Sequence, residues 1–282
     1  MSQVIGRISE RNIDAELDWI VRVLGRIPEP EQKSREAALR GLQLAFGRLQ
    51  NYRAASTCTI KRRIDVSFGE YVKNKSIAIV GPANVSLPSG TEIENHDIII
   101  RFNHSDSSSY HPDFDGSRTD VSYYTNPAFN KIVIKSRSTL AGLQFAVPQS
   151  IAAEWDRNLL SGLAPRLRGQ YRRSNGIFFK SYGNAAQRLL LDLMRFESRS
   201  VKLFNMDLWL TPHDSRYIAR RPTIDPKMFL YHDPVANYCF LQSLLRHQVI
   251  SCDKRLAEVL SLGRARYVQA LHEVYATAAR VR

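Results

Sequence analysis

The sequence predicts an α/β domain built on a mostly parallel sheet, preceded by a helical hairpin, and three observations carry this. Short apolar runs stand at Ile77 to Val80, Ile98 to Ile100 and Val201 to Phe204. Each exits into polar or small residues: Gly81-Pro82-Ala83-Asn84, Arg101-Phe102-Asn103 and Asn205-Met206-Asp207. Between the runs lie segments with apolar residues at helical spacing, such as Leu189, Leu190, Leu193 and Met194. A strand that is apolar without alternation is covered on both faces, as parallel strands are, and strands alternating with helices build such sheets.

In chain order, residues 1 to about 55 read as helical. Ile13, Leu17, Ile20, Val21 and Leu24 share one face, and after Pro28-Glu29-Pro30 the spacing resumes at Leu39, Leu42, Phe46 and Leu49. The division expected is a helical segment over 1–60 and a larger domain over 61–282, with Thr57 to Phe68 as the connector. The hairpin seam packs on its own domain or on a second copy of the chain.

The stretch from Lys75 to Asn126 supplies the first two strands and their polar exits. An open α/β sheet binds its ligand beyond the strand carboxyl ends, which makes these exits the candidate ligand edge. Further strands are expected at Val121 to Tyr124, Ile132 to Ile134 and Leu143 to Val147, then a helix from Ile151 to Leu163. The arginine-rich Arg166 to Asn175 reads as a loop. Ser181-Tyr182-Gly183-Asn184 opens a helix over Ala185 to Phe196, and a helix start offers free N–H groups to an anion. His232-Asp233-Pro234 precedes a helix reaching Leu245, and Arg255 to Tyr275 gives one or two amphipathic helices.

Composition narrows the partners. Forty Lys and Arg against 27 Asp and Glu give a net charge of +13, which suits phosphate-bearing or otherwise anionic partners. The charge is dispersed, and no basic stripe interleaved with aromatics argues for specific nucleic-acid binding. Cys58, Cys239 and Cys252 have neither disulfide-framework nor metal-ligand spacing, so a reducing compartment is expected. No apolar run is of membrane-spanning length, and any membrane contact is expected to be peripheral.

Individual residues left several readings open. Gly81-Pro82-Ala83-Asn84 lacks the second and third glycines of a dinucleotide fingerprint. Asp113-Phe114-Asp115 has the form some sugar transferases use to hold a metal, although an acidic turn beside Gly116 explains it as well. His232 stands where a neutral imidazole would reach into a cleft and act as general base, or else serve a structural end. His96 reads as a turn histidine.

The stretch also resembles the large donor-binding motif of the animal-type sialyltransferases. The matching elements are Ile77-Ala78-Ile79-Val80-Gly81, Glu92-Ile93-Glu94-Asn95-His96-Asp97, Arg101-Phe102-Asn103 and Gly116-Ser117-Arg118-Thr119. Ser181-Tyr182-Gly183 followed by Val201 to Phe204 is similar to that family's small motif, with a longer interval. His232 through Asn237 is similar to its last motif. The resemblance implies a single GT-A-like (Rossmann-like) domain that takes a sugar acid from a CMP donor, sialic acid or Kdo, without metal or other cofactor.

On that resemblance Gly81, Asn84, Asn103, Asn126, Ser181, Gly183 and Asp207 would bind the donor and His232 would be the base. Asn237 stands where the family has Glu, which puts any role needing a charge there in question. Ile77 stands where animal members have a disulfide cysteine, in keeping with a cytoplasmic, bacterial relative that acts on a glycan or glycolipid acceptor. A homodimer through the N-terminal helices remains open. The alternative reading is a non-catalytic α/β scaffold that keeps a CMP pocket and binds anionic glycan or lipid.

Overall fold

Strands β1 (Ser76–Val80), β2 (Ile98–Phe102), β3 (Val121–Tyr124), β4 (Phe145–Pro148), β5 (Ser200–Phe204) and β6 (Ser251–Cys252) form one sheet in the order β4-β3-β2-β1-β5-β6. Every pairing is parallel. The expected α/β, Rossmann-like arrangement is therefore present. The computed structural model describes residues 63–83, 87–105, 110–135, 137–149, 166–170, 184–211, 232 and 234–280. The expected N-terminal hairpin, the boundary near residue 60 and the helix from Ile151 to Leu163 lie outside the described residues.

The apolar strands are buried because helices cover both sheet faces. Ile77, Ile79, Ile98, Ile100 and Leu203 point to one face and join Phe68 and Val72 of α1 (Arg63–Val72). The same cluster takes in Leu189, Leu190 and Leu193 of α6 (Ala185–Leu193) and Tyr238 and Leu241 of α7 (Pro234–Arg246). Leu256 of α8 (Lys254–Ser261) and Tyr267 of α9 (Arg264–Arg280) complete it. Ala78, Val80 and Ile99 point the other way, onto Ile93 of α2 (Gly90–Glu94). Farther along that second face, Phe129, Ile132 and Val133 of α4 (Asn126–Lys135) and Leu140 of α5 (Arg137–Ala141) pack on Tyr124 and Ala146. Period-two alternation in the strands thus feeds two cores, which is why their sequence shows no polar face.

Three expectations are corrected. Ile132 to Ile134 is not a strand but part of α4, which Pro127 and the preceding Thr125 start: the Thr125 carbonyl accepts from Phe129 N at 2.9 Å. Thr57 to Phe68 is not all connector, since α1 begins at Arg63. Arg166 to Gln170 does not run as a free loop: Leu167 bridges Ala146 in parallel, and the N–H groups of Arg168 and Gln170 donate to Ala146 and Pro148 carbonyls at 3.0 and 2.9 Å.

Arg168 explains that anchoring. It is wholly buried, with Nε donating to Asp65 at 2.7 Å and Nη2 to Asp192 at 2.8 Å, so it joins α1 to α6 behind β3. Tyr123 Oη donates to the same Asp192 at 2.8 Å. Burial alone would raise the Asp192 carboxyl, but the Arg168 guanidinium and these donors hold it below its ordinary value.

Candidate functional site

After β1 the chain steps outward through β2, β3 and β4, then crosses back to lay β5 on the other side of β1. The order of strands reverses there, and a crevice beyond the carboxyl ends of β1 and β5 is where such sheets take ligands. The two strands stay joined past their ends. Gly81 N donates to Phe204 O at 2.8 Å and Ala83 N to Asn205 O at 3.0 Å. A Cβ on Gly81 would stand 2.5 Å from both Asn205 O and Met206 Cγ, so this seam requires glycine.

The exit of β5 is held in unusual backbone. Asn205, Leu208 and Trp209 have φ of 52°, 53° and 69°, the left-handed region that ordinary residues adopt at a cost of about 1 kcal/mol or more each. Asp253, the N-cap of α8, secures the first of them by accepting from Asn205 N at 2.7 Å and from Leu256 N at 2.8 Å. The Asn205 amide nitrogen reaches Asp115 Oδ1 at 3.0 Å, while its own Oδ1 is buried without a hydrogen-bond partner.

Asp207 stands in the middle of this turn, 3% exposed, with Oδ2 buried and lacking a hydrogen bond. Arg255 approaches that oxygen only to 4.0 Å. Burial raises the Asp207 carboxyl above its ordinary value, with Thr211, Arg255 and the Trp209 backbone pulling the other way. The Trp209 ring faces His232, with centroids 5.9 Å apart and planes inclined by 30°. Gly81, Asp207 and His232, far apart in sequence, therefore come from elements that meet at one end of the sheet.

Asn103 occupies the same edge one strand over, beyond β2. It too is left-handed, at φ 52°, and its N donates to Tyr123 O at 2.8 Å. Its Oδ1 accepts from Thr125 N at 2.9 Å, next to Asn126, the first residue of α4. The Nδ2 of Asn103 meets no partner among the described residues. Asn84, Ser181 and Gly183 lie outside the described residues.

Asn237 is buried on α7, and its Oδ1 accepts from Asn184 N, the residue that opens α6, at 2.9 Å. A neutral acceptor is sufficient for that bond. The side chain that departs from the Glu of the resembled family ties α7 to the start of α6 and needs no charge to do so.

Much of the resembling stretch serves the opposite, amino-end edge. Asp97 accepts from Ser76 N and Oγ, each at 2.8 Å, and from Arg199 Nη2 at 2.9 Å, joining the starts of β1, β2 and β5. Glu94 accepts from Arg118 N at 2.9 Å and from Ser117 N, against Gly116 at φ 66°. Burial works against the charge of Glu94, yet these donors and the Arg118 guanidinium hold its carboxyl below the ordinary value. Near the carboxyl end of β2, by contrast, Arg101 is buried and donates to the carbonyls of Arg118 at 3.0 Å and Asp115 at 2.6 Å. His96 Nδ1 lies 2.9 Å from Glu92 O, a turn contact.

The Asp-x-Asp tripeptide forms a helical turn, α3 (Pro112–Asp115). Asp115 accepts from Asn205 and, at 3.0 Å, from His111 N, whereas Asp113 is exposed beside His111. No group of three or more His, Cys, Asp and Glu able to hold a metal occurs among the described residues. Among the same residues no helix is long and apolar enough to cross a membrane.

Sequence reasoning missed Asn205 and Trp209 as parts of this edge. Trp209 stands at the head of a stretch rich in prolines and arginines with no strand or helix period, and its left-handed backbone and ring contact with His232 are what mark it. Asn205 carried the weak signal of a polar residue at a strand exit.

No protein-family model matches the sequence, and no curated protein does. Among solved structures, the chain is similar to the sialyltransferase CstII from Campylobacter jejuni in complex with a substrate analogue, cytidine-5'-monophosphate. The identity is 10%, the alignment covers 63% of this chain and 78% of that one, and the TM-score is 0.40.

Proposed function

We propose that this chain is a glycosyltransferase that moves a 2-keto-3-deoxy sugar acid, sialic acid or Kdo, from a CMP donor to a glycan hydroxyl in bacterial surface polysaccharide or lipopolysaccharide synthesis. One observation supports this above others. Gly81 packs against the β5 exit that leads to Asp207, and His232 lies against Trp209 of the same turn, beside the strand-order reversal where an α/β sheet takes its ligand.

In the proposed reaction the acceptor hydroxyl oxygen attacks the anomeric carbon and His232 takes its proton. The bond from that carbon to the phosphate oxygen breaks, and CMP leaves with the electron pair. Gly81, Asn84, Asn103 and Asn126 line the nucleotide side, while Ser181 and Gly183, before α6, hold phosphate or the donor carboxylate through helix-end N–H groups. Asp207 closes the crevice behind them. The reaction needs neither metal nor cofactor in this reading, and the enzyme works in the cytoplasm.

Calorimetric titration with CMP, with UMP as the control, tests the donor. Saturable CMP binding that UMP does not reproduce is expected. Absence of binding at millimolar CMP, together with no CMP release from either sugar donor, would end the proposal. Activity lost in EDTA and rescued by Mn²⁺ would remove the metal-free part alone.

A further inference from the structure

We propose that the outer face of α4 and α5 docks the protein on an anionic lipid surface. Ile134 is the most exposed large apolar side chain among the described residues, at 76%, and it sits on α4 between Lys131 and Lys135. Both lysines are exposed and meet no acidic partner among the described residues. Arg137 continues the cationic face onto α5, and Arg166 is pinned beside it, Nη1 donating to the Leu143 carbonyl at 3.1 Å. From Val121 to Gln149 the sequence has no Asp or Glu at all.

An apolar side chain flanked by two exposed lysines, in a stretch of sequence without acids, fits an interface where charge is negative and the layer beneath is oily. The inner side of α4 is already spent on the core through Phe129, Ile132 and Val133, and Ile134 stands outside that cluster.

The geometry also sets the crevice relative to such a surface. Asn126 begins α4 at the carboxyl edge of the sheet, and Ile134 follows about 12 Å along the helix axis at the α-helical rise. A surface gripped at Ile134 runs alongside the sheet and leaves the carboxyl edge open at one side. That placement suits a glycan that projects from a lipid, but docking itself does not depend on the donor chemistry.

The test is flotation of the full chain with vesicles of phosphatidylcholine alone and of an equimolar mixture with phosphatidylglycerol. Binding only to the mixed vesicles, weakening with salt, is expected. The double variant Lys131→Glu, Lys135→Glu should lower the partition coefficient at least tenfold. Ile134→Ser should lower it several-fold with the salt dependence unchanged, and Val66→Ser, at the other exposed apolar residue, should leave it alone. CMP titration and circular dichroism of each variant separate lost docking from lost fold or lost donor binding. Equal flotation with neutral vesicles, no flotation, or full retention in the double variant would each overturn the assignment. So would binding of a random DNA duplex, lost in the same variants, without flotation.

Discussion

The two edges of the sheet use the same kinds of residue to opposite ends. At the amino edge, Asp97 is satisfied by Ser76 and Arg199 and Glu94 by Ser117 and Arg118, Gly116 closes the turn, and the departures are left-handed Asn74 and Gln248 and the buried Thr119 Oγ1. Along the carboxyl edge, Asn103, Asn205, Leu208 and Trp209 stand in left-handed backbone, and Asn205 Oδ1 and Asp207 Oδ2 are buried without hydrogen bonds. The difference teaches that resemblance within one stretch does not assign one role. Residues whose polar atoms are consumed by the fold hold the frame, and the buried unmatched oxygens of Asn205 and Asp207, beside four left-handed residues, are where the proposed ligand would complete the structure.

The sharpest attempt to break this division is His232→Ala. It is expected to lower turnover about a hundred- to ten-thousand-fold while CMP affinity and the denaturation midpoint stay put. Turnover at the parent rate would remove His232 from the chemistry. Next in size is Arg101→Met, at a frame residue two positions from a site residue. It strips charged donors from the carbonyls of Asp115 and Arg118 and should cost about 3 kcal/mol of stability by urea unfolding.

Asn103→Gly probes the other side of the same tripeptide. Glycine keeps the left-handed backbone, so the loss in stability should stay near ~1 kcal/mol, while CMP binding weakens about five- to tenfold. If Arg101→Met spoils affinity in protein that remains folded, or Asn103→Gly spoils stability alone, frame and site roles are not divided as described.

The smallest effects should differ in sign. Glu94 has its carboxyl held below the ordinary 4.5, so its stabilisation is complete above that value and is lost as pH falls through the folded value. Asp207 is raised above 3.8, so its contribution is complete below that value and is lost as pH rises through the folded one. Denaturation midpoints followed from acid to neutral pH should therefore gain less with rising pH in Glu94→Gln than in the parent, and more in Asp207→Asn. The same sign in both variants would contradict the contrast.

The sequence made the interior strands legible because burial on two faces leaves unbroken apolar runs at Ile77 to Val80 and Ile98 to Ile100. It misled at Ile132 to Ile134, where a three-residue run is too short to show a period and the start signal at Asn126-Pro127 lies several residues upstream. Arg168 was read as surface charge because its partners, Asp65 and Asp192, are distant in sequence; only the fold brings them together. Polar residues at strand exits put Gly81, Asn103 and Asp207 at the carboxyl edge of the sheet, and the structure has them there. Which of their atoms are already occupied is a tertiary fact, and Asn237 shows it best, since its partner is the backbone of Asn184.

The position of β1 also bears on how the protein is made. Its partner on one side, β2, follows within a short connection, but its partner on the other, β5, comes only at Ser200–Phe204. As the chain leaves the ribosome, the far edge of Ser76–Val80 stays open until most of the protein has been synthesised, and an open apolar strand edge invites pairing with other chains. The seam at Gly81 therefore forms late. A chain stopped short of Ser200 contains most of the resembling residues and still has no crevice, so premature termination should yield aggregate rather than a smaller folded protein.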